Sequence, residues 1–310
     1  MPSRLTVMFV SLLLATPALI FWLWLVILPV RVTEKYPDEC DSDIEGSVHC
    51  NGPSLTAVPL INLTDIRELS LQYNNITLLE RDCFVSRRLT DLHLLHIVWC
   101  GLRKIELGAF NGLKNLSDLV IAGNEISEII PDTFENMSNL VVLDLDYNRL
   151  KHLDTDVFSG LFNLKFISLV GNKLQYLHPD TFLGLQNIQY ILLHKNPSLQ
   201  IPTDLNFIKS HSLSHLSIPH CNISSVSVHT FANVRALKSL YLSYNNLTTV
   251  GIKILTALPK LSELYLHGNP LQCDCQLQEV WRLCEDRNIE TAFEAMEPQC
   301  DTTSEVEGVW

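Results

Sequence analysis

Along most of the chain, apolar residues recur in the order L-x-x-L-x-L-x-x-N-x-L, as in LVVLDLDYNRL from residue 140, LKFISLVGNKL from 164 and LKSLYLSYNNL from 237. Segments fitting this template start at Ile66, Leu92, Leu116, Leu140, Leu164, Ile188, Leu213, Leu237 and Leu261, at intervals of 26, 24, 24, 24, 24, 25, 24 and 24 residues. The x-x-L-x-L portion alternates, which predicts a short strand with its leucines on one face. Each return of the chain lays a parallel strand beside the last, at about 4.8 Å. Parallel neighbours need a crossover of a dozen or more residues, and stretches such as EIIPDTFENMSN supply it. Within them Phe110 with Leu113, Phe134 with Met137, Phe158 with Leu161, Phe182 with Leu185 and Phe231 with Val234 recur. They are expected to fill the far side of one continuous core. No repeat buries its face alone, so stability must come from stacking on neighbours.

One stretch, LSHLSIPHCNI at 213–223, poses a chemical question. It gathers His215, His220 and Cys221, with His211 just upstream. Such residues can hold zinc or pair as a cysteine–histidine nucleophile. The periodicity answers it. The ninth position of the repeat is Asn74, Asn124, Asn148, Asn172, Asn196, Asn245 and Asn269 in seven repeats, and Cys100 and Cys221 in the other two. An inward amide there bonds backbone groups of adjoining turns and builds a ladder. Cys221 is therefore expected to be a buried ladder residue with a weaker S–H donor, and the same holds for Cys100.

This pattern resembles the leucine-rich repeat family over residues 66–271. The resemblance implies an α/β-class solenoid, right-handed and curved as a horseshoe, with a parallel β-sheet on the concave face and disulfide-bonded caps. It also implies cysteine as the commonest substitute at the ladder position.

Both ends of a solenoid need covering. Residues 36–65 read as an N-terminal cysteine cap in which Cys40 pairs with Cys50. Residues 272–310 resemble the C-terminal cap of extracellular members, where Leu277, Val280 and Trp281 of a short helix close the core. In that family the first cysteine, here Cys273, pairs with one some 25 residues on, here Cys300. The partner of Cys275 is left open. The chain stops at Trp310 without a further cysteine, so Cys284 could serve, or the cap is cut short. A zinc site built from Cys273, Cys275, Cys284 and Cys300 is the alternative, and Cys83 has no assigned partner.

Residues 1–35 form a separate unit. Between Arg4 and Arg31 lie 26 uncharged residues, long enough to span a bilayer. A cleaved secretory signal and an uncleaved anchor both fit. In either case everything after Arg31 is exported, which places the protein outside the cell, secreted or at the surface. The nine cysteines suit that oxidising compartment. So do six N-x-[ST] sequons, at Asn62, Asn75, Asn115, Asn136, Asn222 and Asn246. The formal charge of −12 argues against nucleic acid as a partner.

Function is expected on the non-leucine positions of the strand segment, the third, fifth, seventh and eighth of each repeat, which are read as facing the concave side. The third column brings Phe166, Tyr190 and His215, and the fifth Asp144, Tyr241 and Tyr265. The seventh brings Asp146 and His194, and the eighth Trp99, Tyr147, His220 and Tyr244. Aromatic residues exposed on a rigid surface are the anchors of protein interfaces, and no sequon falls in these columns. The histidines are expected to be contact residues whose charging would favour an acidic partner as pH falls, with a surface metal site as the alternative. No nucleophile–base–orienter set, phosphate-cradling loop or H-E-x-x-H is present. The expected function is thus non-catalytic, without cofactor or resident metal: recognition of an extracellular protein or glycan in adhesion or signalling. An innate-immune pattern receptor or its soluble decoy is the alternative. Possession of a membrane anchor depends on whether residues 1–32 are retained.

Overall fold

The structure is a computed structural model that describes residues 40–43, 45–61, 63–202, 204–272 and 275–291. Each predicted strand forms at the third to fifth positions of its repeat. They are β3 (Glu68–Ser70), β5 (Leu94–His96), β7 (Asp118–Val120), β8 (Val142–Asp144), β9 (Phe166–Ser168), β10 (Tyr190–Leu192), β11 (His215–Ser217), β12 (Ser239–Tyr241) and β13 (Glu263–Tyr265). All nine pair in parallel and in order. The register is constant, so Leu119 lies beside Leu143 and Leu143 beside Ile167. One period per strand leaves no register to slip: a one-residue shift would turn every leucine outward.

The cap adds a hairpin, β1 (Asp41–Ser42) with β2 (Ser47–His49), and β2 continues the sheet in parallel with β3. Cys40 and Cys50 are joined as a disulfide beneath it. On the far side of the first two repeats, β4 (Leu78–Leu79) and β6 (Lys104–Ile105) form a second, two-stranded parallel sheet.

The sheet's inward leucines meet a column of phenylalanines. Phe84, Phe110, Phe134, Phe158 and Phe182 stack with centroid separations of 5.7–6.4 Å and nearly parallel planes. Phe207, which the sequence reading passed over, and Phe231 continue the buried column. Cys83 precedes Phe84 as Thr133 precedes Phe134 and Thr181 precedes Phe182; all are buried. Its thiol is free and lies 3.5 Å from the Ala109 carbonyl. Cys83 is therefore part of the core's floor, which accounts for its lack of a disulfide partner.

The asparagine ladder is continuous. Asn148 Oδ1 accepts from the Ile126 amide at 3.1 Å, and its Nδ2 donates to the carbonyls of Ile121 (2.9 Å) and Leu145 (3.1 Å). Asn124, Asn172, Asn196, Asn245 and Asn269 repeat this arrangement. Cys100 and Cys221 occupy the same rungs, free and buried, with the Cys221 thiol donating to the Leu193 carbonyl at 3.1 Å.

A second ladder runs beside the first and was not foreseen. Asn139, Asn163 and Asn187, just before strands β8, β9 and β10, each donate to a carbonyl of the preceding turn: Lys114, Ser138 and Phe162, at 2.8–2.9 Å.

Among the described residues, two helices complete the C-terminal end, α1 (Ile252–Ala257) and α2 (Cys275–Asp286). As expected, α2 buries Leu277 and Val280, and Trp281 packs half-buried against the core. Cys284 is also buried there with a free thiol, so it is not the partner of Cys275. Cys273 and Cys300 lie outside the described residues, as do residues 1–39.

Candidate functional site

The strands end at the fifth position, so the four proposed columns divide into two surfaces. Third and fifth residues stand on the open face of the sheet. Seventh and eighth residues lie on the turn that leaves it, forming a rim. Phe166, Tyr190, His215, Asp144, Tyr241 and Tyr265 thus stand on the strands themselves, Asp146 and His194 reach back from the turn to the fifth-column serines Ser168 and Ser217, and Trp99, Tyr147, His220 and Tyr244 line the rim.

The rim has one backbone feature throughout. The eighth residue is left-handed in all nine repeats: Tyr73, Trp99, Gly123, Tyr147, Gly171, Lys195, His220, Tyr244 and Gly268 have φ between 51° and 72°. This turn aims the ninth residue inward to its rung. Glycine adopts such a conformation freely, whereas bulky residues rarely do. Yet Trp99, Tyr147 and Tyr244 do so while 54%, 46% and 52% exposed. Each leans over a glycine one repeat on. A β-carbon at residue 123 would meet the Trp99 indole at 2.5 Å, and one at residue 171 or 268 would meet the ring of Tyr147 or Tyr244 at 2.6 Å. The alternation of aromatic residue and glycine was legible in the eighth column, but its meaning emerges only from the backbone. His220 is exposed and stacks on Tyr244, with centroids 4.6 Å apart and planes 6° apart.

On the sheet face, aromatic residues pair across strands. Phe166 and Tyr190 lie 6.2 Å apart, Tyr190 and His215 stack at 4.2 Å, and Tyr241 and Tyr265 stack at 4.5 Å. Tyr241 donates its hydroxyl to Glu263 Oε2 at 3.0 Å. Burial, then that hydrogen bond and the Glu263 charge, push the phenol up to about 12. Small residues floor the face: Ser70, Ser168, Ser217 and Ser239 are buried.

Asp144 and Asp146 form a linked pair in repeat four. The Asp146 amide donates to Asp144 Oδ1 at 2.9 Å, while the Asp146 carboxylate accepts from the Val170 amide at 2.8 Å and from the Ser168 hydroxyl. Burial pushes the Asp144 carboxyl up to about 6, outweighing the Asp146 amide, which lowers it. His194 bonds the Ser217 hydroxyl. Burial holds both His194 and His215 below the ordinary imidazole range, more than the acids near them raise it. Their charging is thus deferred to lower pH than the sequence alone suggested. Among the described residues no group of three or more His, Cys, Asp or Glu side chains is placed to hold a metal ion.

Of the sequon asparagines, Asn75, Asn115, Asn136, Asn222 and Asn246 are exposed, and the Asn246 amide donates to Asn222 Oδ1. Asn62 lies outside the described residues.

Comparison with known proteins agrees with this architecture. A family model described as "Leucine rich repeat" matches residues 87–150, 138–197 and 211–271. The putative neurotrophin receptor LTRK 1 of Lymnaea stagnalis is 30% identical over 102 residues, 33% of this chain and 12% of that protein. Immunoglobulin superfamily member 10 of Mus musculus is 45% identical over 42 residues, 14% of this chain and 2% of that protein. The chain thus spans only a small part of the length of either relative. Among solved structures, human 5T4 (Wnt-activated inhibitory factor 1, trophoblast glycoprotein) superposes with a TM-score of 0.60 at 23% identity, covering 83% of this chain and 89% of that one. A chain of the octameric complex of Latrophilin 3, Unc5D and FLRT2 (LRR) also gives 0.60, at 24% identity, covering 79% and 74%. These likenesses establish the fold. With the repeat matched over more than half of its length, the chain belongs to the leucine-rich repeat family.

Proposed function

We propose that this protein is a non-catalytic recognition module, exported to the cell exterior, that binds a protein ligand through its concave face and rim. The reading rests above all on Trp99, Tyr147 and Tyr244. A left-handed backbone costs a bulky residue about 1 kcal/mol or more. Asparagine or glycine would fill the position more cheaply, and three repeats do use glycine. Rings kept exposed at such a cost, and seated against a neighbour that limits their motion, are pre-organised contacts. Export is supported by the apolar segment before Arg31, the exposed sequons and the Cys40–Cys50 disulfide. That one structural neighbour was solved as part of an assembly of several proteins supports a protein ligand.

Two asparagine substitutions test the reading. Tyr147→Asn and Tyr244→Asn remove the rings while suiting the left-handed turn, so folding should be preserved. Partner capture and titration should then show about a thirtyfold loss of affinity for an anchor residue. The convex control Glu128→Ala should bind as wild type does. If both asparagine variants bind normally and a convex variant does not, recognition lies elsewhere.

A further inference from the structure

We infer that the C-terminal half of the concave sheet receives an arginine side chain from its protein partner, against Glu263 and the Tyr241–Tyr265 pair. This rests on the reading of the concave face as the recognition surface and names the chemistry it would accept.

Register places the parts. Tyr190, His215, Ser239 and Glu263 lie in one row across β10–β13, and Ser217, Tyr241 and Tyr265 in the next. The buried serines leave the aromatic rings as walls above a shallow floor. Tyr241 reaches from the second row to Glu263 in the first, which fixes the carboxylate and takes up only part of its accepting capacity. The ion pairs among the described residues draw on Arg81, Arg103, Arg149, His178 and Lys209, and none includes Glu263. A carboxylate without a basic partner, beside stacked phenol rings, suits a planar cation that can accept both contacts at once.

The rest of the face has the same sign. Across the nine repeats, the third, fifth and seventh columns contain Glu68, Asp118, Asp144, Asp146 and Glu263, and no lysine or arginine. Basic residues flank it, with Arg67, Lys165 and Lys238 at second positions and Lys195 on the rim, whose ammonium lies 3.3 Å from the Tyr147 hydroxyl. His215 is held below its ordinary range by burial, so it does not oppose a cation at neutral pH. The partner proposed is basic, in place of the acidic one expected from His194, His215 and His220.

The probe is a short peptide of alternating arginine and glycine, with lysine and glutamate counterparts, titrated calorimetrically into the purified full chain at low and high salt. The arginine peptide should bind at least about tenfold more tightly than the other two. Glu263→Gln and Tyr265→Leu should each weaken it by about five- to tenfold, and Asp156→Asn, an equal charge change on the convex side, should leave it unchanged. Glu263→Gln is nearly isosteric, so it remains informative should Tyr265→Leu fold poorly. Equal losses from Glu263→Gln and Asp156→Asn would mean attraction to net charge and overturn the site. So would equal binding of the lysine or glutamate peptide. If Tyr147→Asn and Tyr244→Asn lose the captured partner while Glu263→Gln keeps it, the recognition surface stands and the arginine site falls.

Discussion

Lys195 and Tyr147 meet across the glycine of the turn between them. The ammonium lies 3.3 Å from the phenol oxygen and 5.6 Å from the ring centroid, although the residues belong to turns four and six. Gly171 permits this by leaving room for the Tyr147 ring, at φ +67°. Gly171→Ala should therefore cost roughly 2 kcal/mol, partly from the left-handed backbone and partly from the displaced ring. Equilibrium denaturation would measure it. A neutral result would mean that the ring has other places to go.

The ladder makes an asymmetric pair of predictions. Asn148→Leu leaves the Ile126 amide without its partner, while the Ile121 and Leu145 carbonyls keep their bonds from Asn124 and Asn172, and should cost about 1–3 kcal/mol. Cys221→Asn restores the residue that most rungs carry and should be neutral or mildly stabilising. Unfolding of Cys221→Asn in a denaturation series would show that its rung is too tight for an amide.

Thiol chemistry offers an independent check. Burial pushes Cys83 up to about 12, and Cys221 and Cys284 up to about 11. In the folded protein all three should resist iodoacetamide at mildly alkaline pH and react once denatured. Peptide mapping should also recover Cys40 linked to Cys50. Native labelling of Cys221, or its recovery in a disulfide, would contradict the buried rung.

Asp144 gives a pH dependence with a definite sign. Its carboxyl rises from an ordinary 3.8 to about 6 on folding. It therefore binds a proton more tightly when folded, favouring the fold below the unfolded value and losing that contribution as pH rises through about 6. Asp144→Asn should match wild type at acidic pH and be more stable above neutrality. Its partial exposure limits the gain to about 1 kcal/mol. Melting temperatures across the range would test it; a variant less stable at neutral pH would show that the charge is doing something burial does not reveal.

The nine strands were legible because leucine spacing reports directly on which face is buried, and the rungs because asparagine recurs at a fixed offset. Phe207 was missed because its crossover, IPTDLNF, lacks the T-F-x-x-L spacing of its neighbours. The second ladder was written as plainly as the first, in Asn139, Asn163 and Asn187, but polar residues before a strand read as ordinary loop. The left-handed rim was hidden for a different reason. Tyrosine and tryptophan favour strands by propensity, and only the turn toward the inward asparagine forces them out of that conformation. The division of the functional columns into face and rim follows from strand length, which side-chain pattern alone does not set.

The two ladders also bear on how the molecule would respond to force. Around repeats four to six each strand is held to the turn before it at both ends, by Asn139, Asn163 and Asn187 on one side and by the inward rungs on the other. In the next repeat the outer clasp lengthens to 3.5 Å at Ser212, and in the one after it falls to Ala236, which has no side-chain donor. A pull applied along the solenoid would meet a middle clasped by amides and a C-terminal portion whose outer side is held by the longer hydroxyl bonds of Ser214 and Ser262, at 3.1 and 3.2 Å. Turns would peel from that end in succession, yielding extension before the central turns part, so a tethered molecule would give slack while the middle of its sheet stayed intact.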